Sequence, residues 1–358
     1  MRRSVAPESR WTPILMAKEA TLEWNDSDLM LVTGATGLVG SHVVERARQE
    51  GIRVRALVRP TSDAPWLNAP GIEKVAGDLS DRASLNAAVA GATLIVHCAA
   101  KVGDWGPVEG YREVNVRGLE TLLNEAEAGG ALRRFVHVSS LGVYPAQDHY
   151  GTDETAPTGA RGIDGYTLTK LEAEQLVLRH VREKGLPAVV LRPGFIYGPR
   201  DRTVIPRLVD RIRAGVFRYL GTGEKLMNNT FVGNLVDAIF LALRNDAAVG
   251  QVFNITDGRT VTKKEFVGTI AQQAGLSAPT RHVPLPVARA LAAAMESTWR
   301  LLGKKEAPLL SSARIKFLGL NLDYSIEKAR RELQYTPHVD FTDGMRRTMD
   351  WFRSEKLL

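Results

Sequence analysis

From residue 29 onward the chain alternates short apolar runs with longer amphipathic stretches. LMLVT at 29–33 is apolar up to its threonine and predicts a buried strand. The next segment, LVGSHVVERARQEG, carries apolar residues at helical spacing and stops at Gly51, a residue that ends helices well. Further strands are expected in VRALV, IEKVA, TLIVHC, RRFVHVSS and AVVLRP. Helices are expected in RASLNAAVAG, NVRGLETLLNEAEAGG and the long YTLTKLEAEQLVLRHVREKG. Strand–helix alternation of this length implies βαβ units, and therefore an α/β fold built on a doubly wound parallel sheet.

Past about residue 200 the rhythm changes and helical patterns dominate, with short strands such as QVFNI between them. The division expected is a loosely ordered extension over 1–27, a dinucleotide-binding Rossmann domain over 28–200, and a smaller, mainly helical substrate lobe over 201–358. Some strands and helices of that lobe return to the first core. A lobe in this position covers the carboxyl ends of the strands, where such sheets bind ligands. Two of its segments, FVGNLVDAIFLAL and PVARALAAAMESTW, are apolar enough to line a hydrophobic pocket. The second, continued by RLLG, could also form a lid or rest on a membrane surface, although core packing is the expected role.

The 358 residues are 44% hydrophobic and 24% charged, an ordinary globular balance. Cys98 is the only cysteine, which excludes an internal disulfide framework and suits a reducing cytoplasm. Uninterrupted apolar runs are too short for a spanning helix, leaving peripheral membrane contact as the most that is expected. Residues 1–27 have basic residues but no sustained apolar stretch, so they do not read as a signal peptide. The net charge of +7 comes from arginines scattered along the chain, not from one basic face, so no nucleic-acid partner is expected.

VTGATGLVG follows the first strand directly and opens a helix, with Gly34, Gly37 and Gly40 spaced GxxGxxG. Glycine is required where the backbone turns tightly and where a side chain would hold a pyrophosphate off the helix N-terminus. The strand–turn–helix setting makes this a dinucleotide site. At the end of the second strand, where an NAD-preferring site places a carboxylate, the chain has Arg59. A guanidinium there suits a 2′-phosphate, so NADP(H) is the expected cofactor; Asp63, slightly further on, keeps NAD(H) use open. Asp78, after the third strand, is a candidate partner for the adenine amino group.

VHVSSLGVY places Ser139 and Ser140 at the end of the fifth strand, and GYTLTK then sets Tyr166 and Lys170 one helical turn apart on one face. A free tyrosine has a pKa near 10, too high for a base at neutral pH, and a lysine ammonium one turn away lowers it.

Glycine turn, strand-end serines, YxxxK and LRPGFIYGP occur in the order that resembles the extended short-chain dehydrogenases/reductases, over about residues 29–355. The resemblance implies catalysis by Tyr166 as acid/base, with Ser140 holding the reacting oxygen and Lys170 also bonding the nicotinamide ribose. It adds Asn115 as a catalytic candidate, whose plainer reading is a helix-start cap. It makes His97 a strand residue, not a proton carrier. Further cofactor contacts are implied for Thr36, Leu38 and Val39 in the turn, and for Leu79 beside Asp78. Ala99 and Ala100 after the fourth strand, and Pro193, Gly194 and Ile196 at and beyond the end of the sixth, complete the set. No metal is called for, and a homodimer is what the family would suggest.

Nucleotide-sugar members of the family carry an Arg-Asp-Phe run that grips the diphosphate. Here the matching stretch is LMNNTFVGNLVDAI, with Asn228 and Asn229 in its place. That stretch, VGDWGPVEGY and NLDYSIEKARRELQYTP resemble instead the 3β-hydroxysteroid dehydrogenase-like branch, with the dihydroflavonol reductase-like enzymes close by. The implied activity is an NADP(H)-dependent interconversion of hydroxyl and ketone on a hydrophobic substrate, sterol-like or 3-oxo/3-hydroxy acyl. A nucleotide-sugar epimerase or dehydratase, and a non-enzymatic dinucleotide-binding regulator, are the alternatives.

Overall fold

The computed structural model describes residues 21–159 and 164–358. Its centre is a seven-stranded sheet. Five strands come first in the chain: β1 (Leu29–Thr33), β2 (Arg53–Val58), β3 (Ile72–Ala76), β4 (Leu94–His97) and β5 (Arg134–Val138). Strands Ala188–Pro193 and Val252–Ile255 complete it. The order across the sheet is Val252–Ile255, Ala188–Pro193, β5, β4, β1, β2, β3, and every neighbouring pair is parallel. The chain runs outward from β1 through β2 to β3, then returns to place β4 on the other side of β1. The connections diverge there, leaving a crevice at the carboxyl ends of β1 and β4.

Both faces of the sheet are covered, which is why β1, β4 and β5 read as continuous buried runs without alternation. Met30 and Val32 of β1 point to one core, with Val43 and Val44 of helix Leu38–Gln49 and Leu235 and Ile239 of helix Val232–Arg244. Leu31, between them, points to the other, with Leu122 of helix Gly118–Gly129 and Val177 of helix Gly165–Lys184. A third core joins Tyr197, Phe231, Phe266 and Phe341 beyond the strand ends.

Several expectations are corrected by this packing. QVFNI, read as a short strand between the helices of the second lobe, is one of the strands that return to the first core, where it supplies the seventh strand of the main sheet. FVGNLVDAIFLAL serves mainly as core: nine residues of its helix are buried and its apolar face packs on the sheet beside helix Leu38–Gln49. Helix Leu285–Leu301, expected to pack as core, buries only Ala288, Ala292 and Glu296, and leaves Val287, Leu291 and Leu301 exposed. Ala288 and Ala292 provide the seat with Leu285 packed beside them, while Met295 and Trp299 are half-buried. Of the expected loose extension, residues 1–20 lie outside the described residues. Leu22 and Trp24 instead pack on the main core, where the Trp24 indole N–H donates to Glu50 at 2.9 Å and the ring stands edge-on to Phe240.

Candidate active site

The glycine turn is shaped by close backbone approach. Gly34 has φ of +70°, and a Cβ there would lie 2.8 Å from the Ala99 backbone nitrogen; a Cβ on Gly40 would lie 2.2 Å from the Gly34 carbonyl oxygen. Gly37 caps helix Leu38–Gln49, whose first turn has no acidic residue and receives no bond from the cap side chain. Its leading N–H groups, with Thr36, Leu38 and Val39 around them, thus stand free to meet a pyrophosphate. This cradle fits a dinucleotide.

The other cofactor candidates ring the same edge. Ala99 and Ala100 follow β4, and the Ala99 N–H donates to Thr33 Oγ1 at 3.3 Å, tying β4's end to β1's. Arg59 is exposed directly after β2. Asp78 follows β3, half-buried, and its carboxylate caps the Ser80 N–H at 3.0 Å; the neighbouring Leu79 is buried. Pro193 ends its strand, Gly194 N–H donates to the Ile255 carbonyl at 3.1 Å, and Ile196 lies in a short strand paired with Asn229–Phe231.

Ser140 leaves β5 and caps a short turn over Leu141–Val143 by accepting the Gly142 N–H at 3.0 Å. Helix Gly165–Lys184 starts at Asp164, which accepts from the Thr167 N–H at 2.6 Å. Tyr166 therefore lies in the first turn and Lys170 in the second, both facing the end of β5. The Lys170 ammonium, 4% exposed, donates to the Val138 carbonyl at 2.6 Å. Burial pushes its pKa down to about 8, opposed by the Glu174 carboxylate. Burial, with the Asp164 carboxylate, raises the Tyr166 phenol to about 12, and the Ser140 hydroxyl beside it pulls the other way. Partial burial and the facing Asp164 carboxylate both disfavour a phenolate at this position.

Asn115 is not a helix-start cap. It sits in a π-helical turn, Glu113–Arg117, between helices Val108–Arg112 and Gly118–Gly129. The side chain accepts the Lys101 N–H at 2.7 Å and donates to the Lys101 carbonyl at 3.1 Å and to Thr169 Oγ1 at 3.0 Å. It clamps the loop after β4 to the helix of Tyr166 and Lys170. His97 is a buried strand residue, as expected: its Nδ1 lies 2.8 Å from Thr33 Oγ1 and burial lowers it to about 3.

Asn229 is buried and donates to Asp257 at 2.8 Å, so it belongs to the framework and grips no ligand in this crevice. Both asparagines line a separate cavity of about 240 Å³ that also touches Arg259 and Arg330 and excludes Ser140, Tyr166 and Lys170. Sequence reasoning missed Lys316. Its ammonium donates to the carbonyls of Gly142 and Tyr144 at 2.6 and 2.7 Å, bracing the turn after Ser140 from the second lobe. Nothing in its local sequence signals that reach.

The profile of the NAD dependent epimerase/dehydratase family matches residues 30–256. A 4-hydroxy-2-methyl-3-oxo-4-farnesyl-3,4-dihydroquinoline-1-oxide ketoreductase of Stigmatella aurantiaca is 34% identical over 316 residues, 88% of this chain and 93% of the relative. A 3-beta-hydroxysteroid dehydrogenase of Mycolicibacterium neoaurum is 32% identical over 343 residues, 91% and 92% of the two chains. The crystal structure of gox2253 superposes with a TM-score of 0.77 at 30% identity, covering 92% of this chain and 99% of that one. The chain belongs to the NAD dependent epimerase/dehydratase family of extended short-chain dehydrogenases/reductases, and is an NAD(P)-dependent oxidoreductase of its 3β-hydroxysteroid dehydrogenase-like branch.

Proposed function

We propose that the protein interconverts a ketone and an alcohol on a hydrophobic substrate, with NADP(H) as the preferred cofactor. The observation that carries this reading is the convergence of Ser140, Tyr166 and Lys170 at the end of β5, beside the glycine cradle. The bound dinucleotide supplies the hydride in reduction and receives it in oxidation. Tyr166, kept a phenol at neutral pH, hands its proton to the oxygen of the reduced carbonyl. Ser140 Oγ holds that oxygen by a hydrogen bond. Lys170 steadies the phenolate left behind and holds the ribose. Arg59, exposed at the end of β2, supports the NADP(H) preference, since nothing about its position competes with a 2′-phosphate.

The substrate reading, a sterol-like or 3-oxo/3-hydroxy acyl compound, draws on relatives that are named as acting on a farnesylated quinoline and a hydroxysteroid. Asn228 and Asn229 supply no cation for a diphosphate. A homodimer, a cytoplasmic location and peripheral membrane contact through the exposed Val287, Leu291 and Leu301 are part of the proposal. No described helix is long and apolar enough to cross a membrane. The test is to follow NADPH absorbance with 3-oxo steroids and long-chain 3-oxo acyl compounds. Turnover supports the reading. A UDP- or dTDP-sugar that protects the protein at micromolar concentration, with no hydrophobic ketone turned over, would reverse it toward an epimerase.

A further inference from the structure

Glu174 stands one turn beyond Lys170 on the same helix, and it is 2% exposed. A carboxylate this deep needs partners, and it has them. Arg192 approaches side-on from strand Ala188–Pro193: Nη2 donates to Oε1 at 2.5 Å and Nε to Oε2 at 3.0 Å. Ser139 Oγ donates to Oε2 at 2.7 Å. The remaining arm of Arg192 donates to the Tyr144 hydroxyl at 2.7 Å, with the guanidinium over the Tyr144 ring. The Tyr144 hydroxyl in turn has two acceptors for its one proton, Asn254 Oδ1 and the Asp153 carbonyl oxygen, each at 3.0 Å.

Ser139 and Tyr144 bracket the segment that contains Ser140. One Glu174–Arg192 pair therefore holds both ends of the turn carrying one candidate catalytic side chain, from the helix that carries the other two. Replacing a buried ion pair with apolar groups often leaves stability unchanged, so stability gives no strong reason for this pair. Its placement gives a better one.

We propose that Glu174, held by Arg192, is a positioning residue of the active site: it fixes the Ser139–Tyr144 turn against the Tyr166–Lys170 helix and keeps Lys170 cationic. This rests on the reading of Tyr166 and Lys170 given above. The groups facing Lys170 are His97 and Cys98 at the end of β4, His137 of β5, and Tyr166 and Glu174 of its own helix. Arg192 lies behind Glu174. Burial keeps both imidazoles and the thiol neutral near pH 7, and Tyr166 stays protonated. Among the described groups beside the ammonium, Glu174 is left as the anion that opposes its desolvation.

The experiment compares pH profiles of kcat/KM for NADPH-dependent reduction of whichever 3-oxo steroid or long-chain 3-oxo acyl compound turns over. Variants are Glu174→Gln and the double variant Glu174→Gln/Arg192→Met, which leaves no guanidinium stranded beside the lost carboxylate and so guards against simple unfolding. Loss of the carboxylate should move the basic limb down by about one pH unit in both variants, the lower end of what a neighbouring opposite charge contributes. Turnover at pH 8 should fall about fivefold, since the protonated fraction drops from about a half to about a tenth, with NADPH affinity at pH 6 within twofold of wild type. A folded double variant whose limb superimposes on that of the wild type overturns the proposal. Tyr166→Phe runs alongside. If it stays active, the acid/base reading itself fails; if it is inactive while the limb is unmoved, only the role of Glu174 fails.

Discussion

Lys170 does not reach for Tyr166: its ammonium donates to the carbonyl oxygen of Val138, 2.6 Å away, on the strand that ends at the candidate serines. The i, i+4 spacing puts the two side chains on one face of the helix, but the hydrogen bond runs across to the sheet. Lys170 thereby acts as a brace between helix and strand as well as a charge near the phenol, and its removal should be felt in both capacities.

Tyr166→Phe keeps the ring and removes only the transferable proton. Turnover should fall by about 10²–10⁴-fold, the usual worth of a positioned general acid, while NADPH binding stays near wild type. Steady-state rates and a cofactor titration check this; a phenylalanine variant with most of its activity would refute the assignment.

Lys170→Met should lose activity, and relief of the buried charge should offset the lost Val138 bond enough to make the variant the more stable protein at pH 7. The folded pKa of about 8 lies below the ordinary lysine value of about 10.4, so the unfolded chain binds the proton more tightly. Holding the charge buried therefore costs stability fully below pH 8. That cost fades as pH rises from about 8 to about 10.4. The difference is on the order of 3 kcal/mol at pH 7. Melting temperatures of both proteins at pH 7 and pH 10 provide the check: the advantage of the methionine variant should shrink at the higher pH.

The same two values set the activity profile. With Tyr166 near 12 and Lys170 near 8, ketone reduction should be level through neutral pH and decline above about 8, as the ammonium is lost. A profile flat from pH 7 to 10 would remove Lys170 from the reaction.

Arg59→Asp should weaken NADPH by about tenfold or more, the equivalent of one charge-assisted hydrogen bond, and leave NADH little changed or improved. Equal affinities of the unmutated protein for the two cofactors would end the case for an NADP(H) preference.

Gly40→Ala puts a methyl group 2.2 Å from the Gly34 carbonyl oxygen, a backbone atom that cannot swing aside. The turn must open, so cofactor binding should be lost together with several degrees of melting temperature. Unaltered NADPH affinity would show that the cradle is not where the pyrophosphate lies.

The parallel sheet, the glycine turn and the Ser140–Tyr166–Lys170 order were legible because each is local. A buried strand is a run of apolar residues, a tight turn needs glycine at fixed offsets, and four positions on a helix make one face. What depended on distant partners was not. Asn115 looks like a cap until Lys101 and Thr169 close around it; QVFNI is a short strand anywhere until Ala188–Pro193 gives it an edge to join. FVGNLVDAIFLAL and PVARALAAAMESTW are comparably apolar, and one lies against the sheet while the other buries two alanines and leaves Val287 and Leu291 exposed. Hydrophobic pattern reports that a face is apolar, not what covers it. Charge states follow the same rule. The residue types put an acid and a cation one turn apart, but the phenol near 12 and the ammonium near 8 follow from burial and from Asp164, Glu174 and Val138, brought there only when helix, strand and loop pack together.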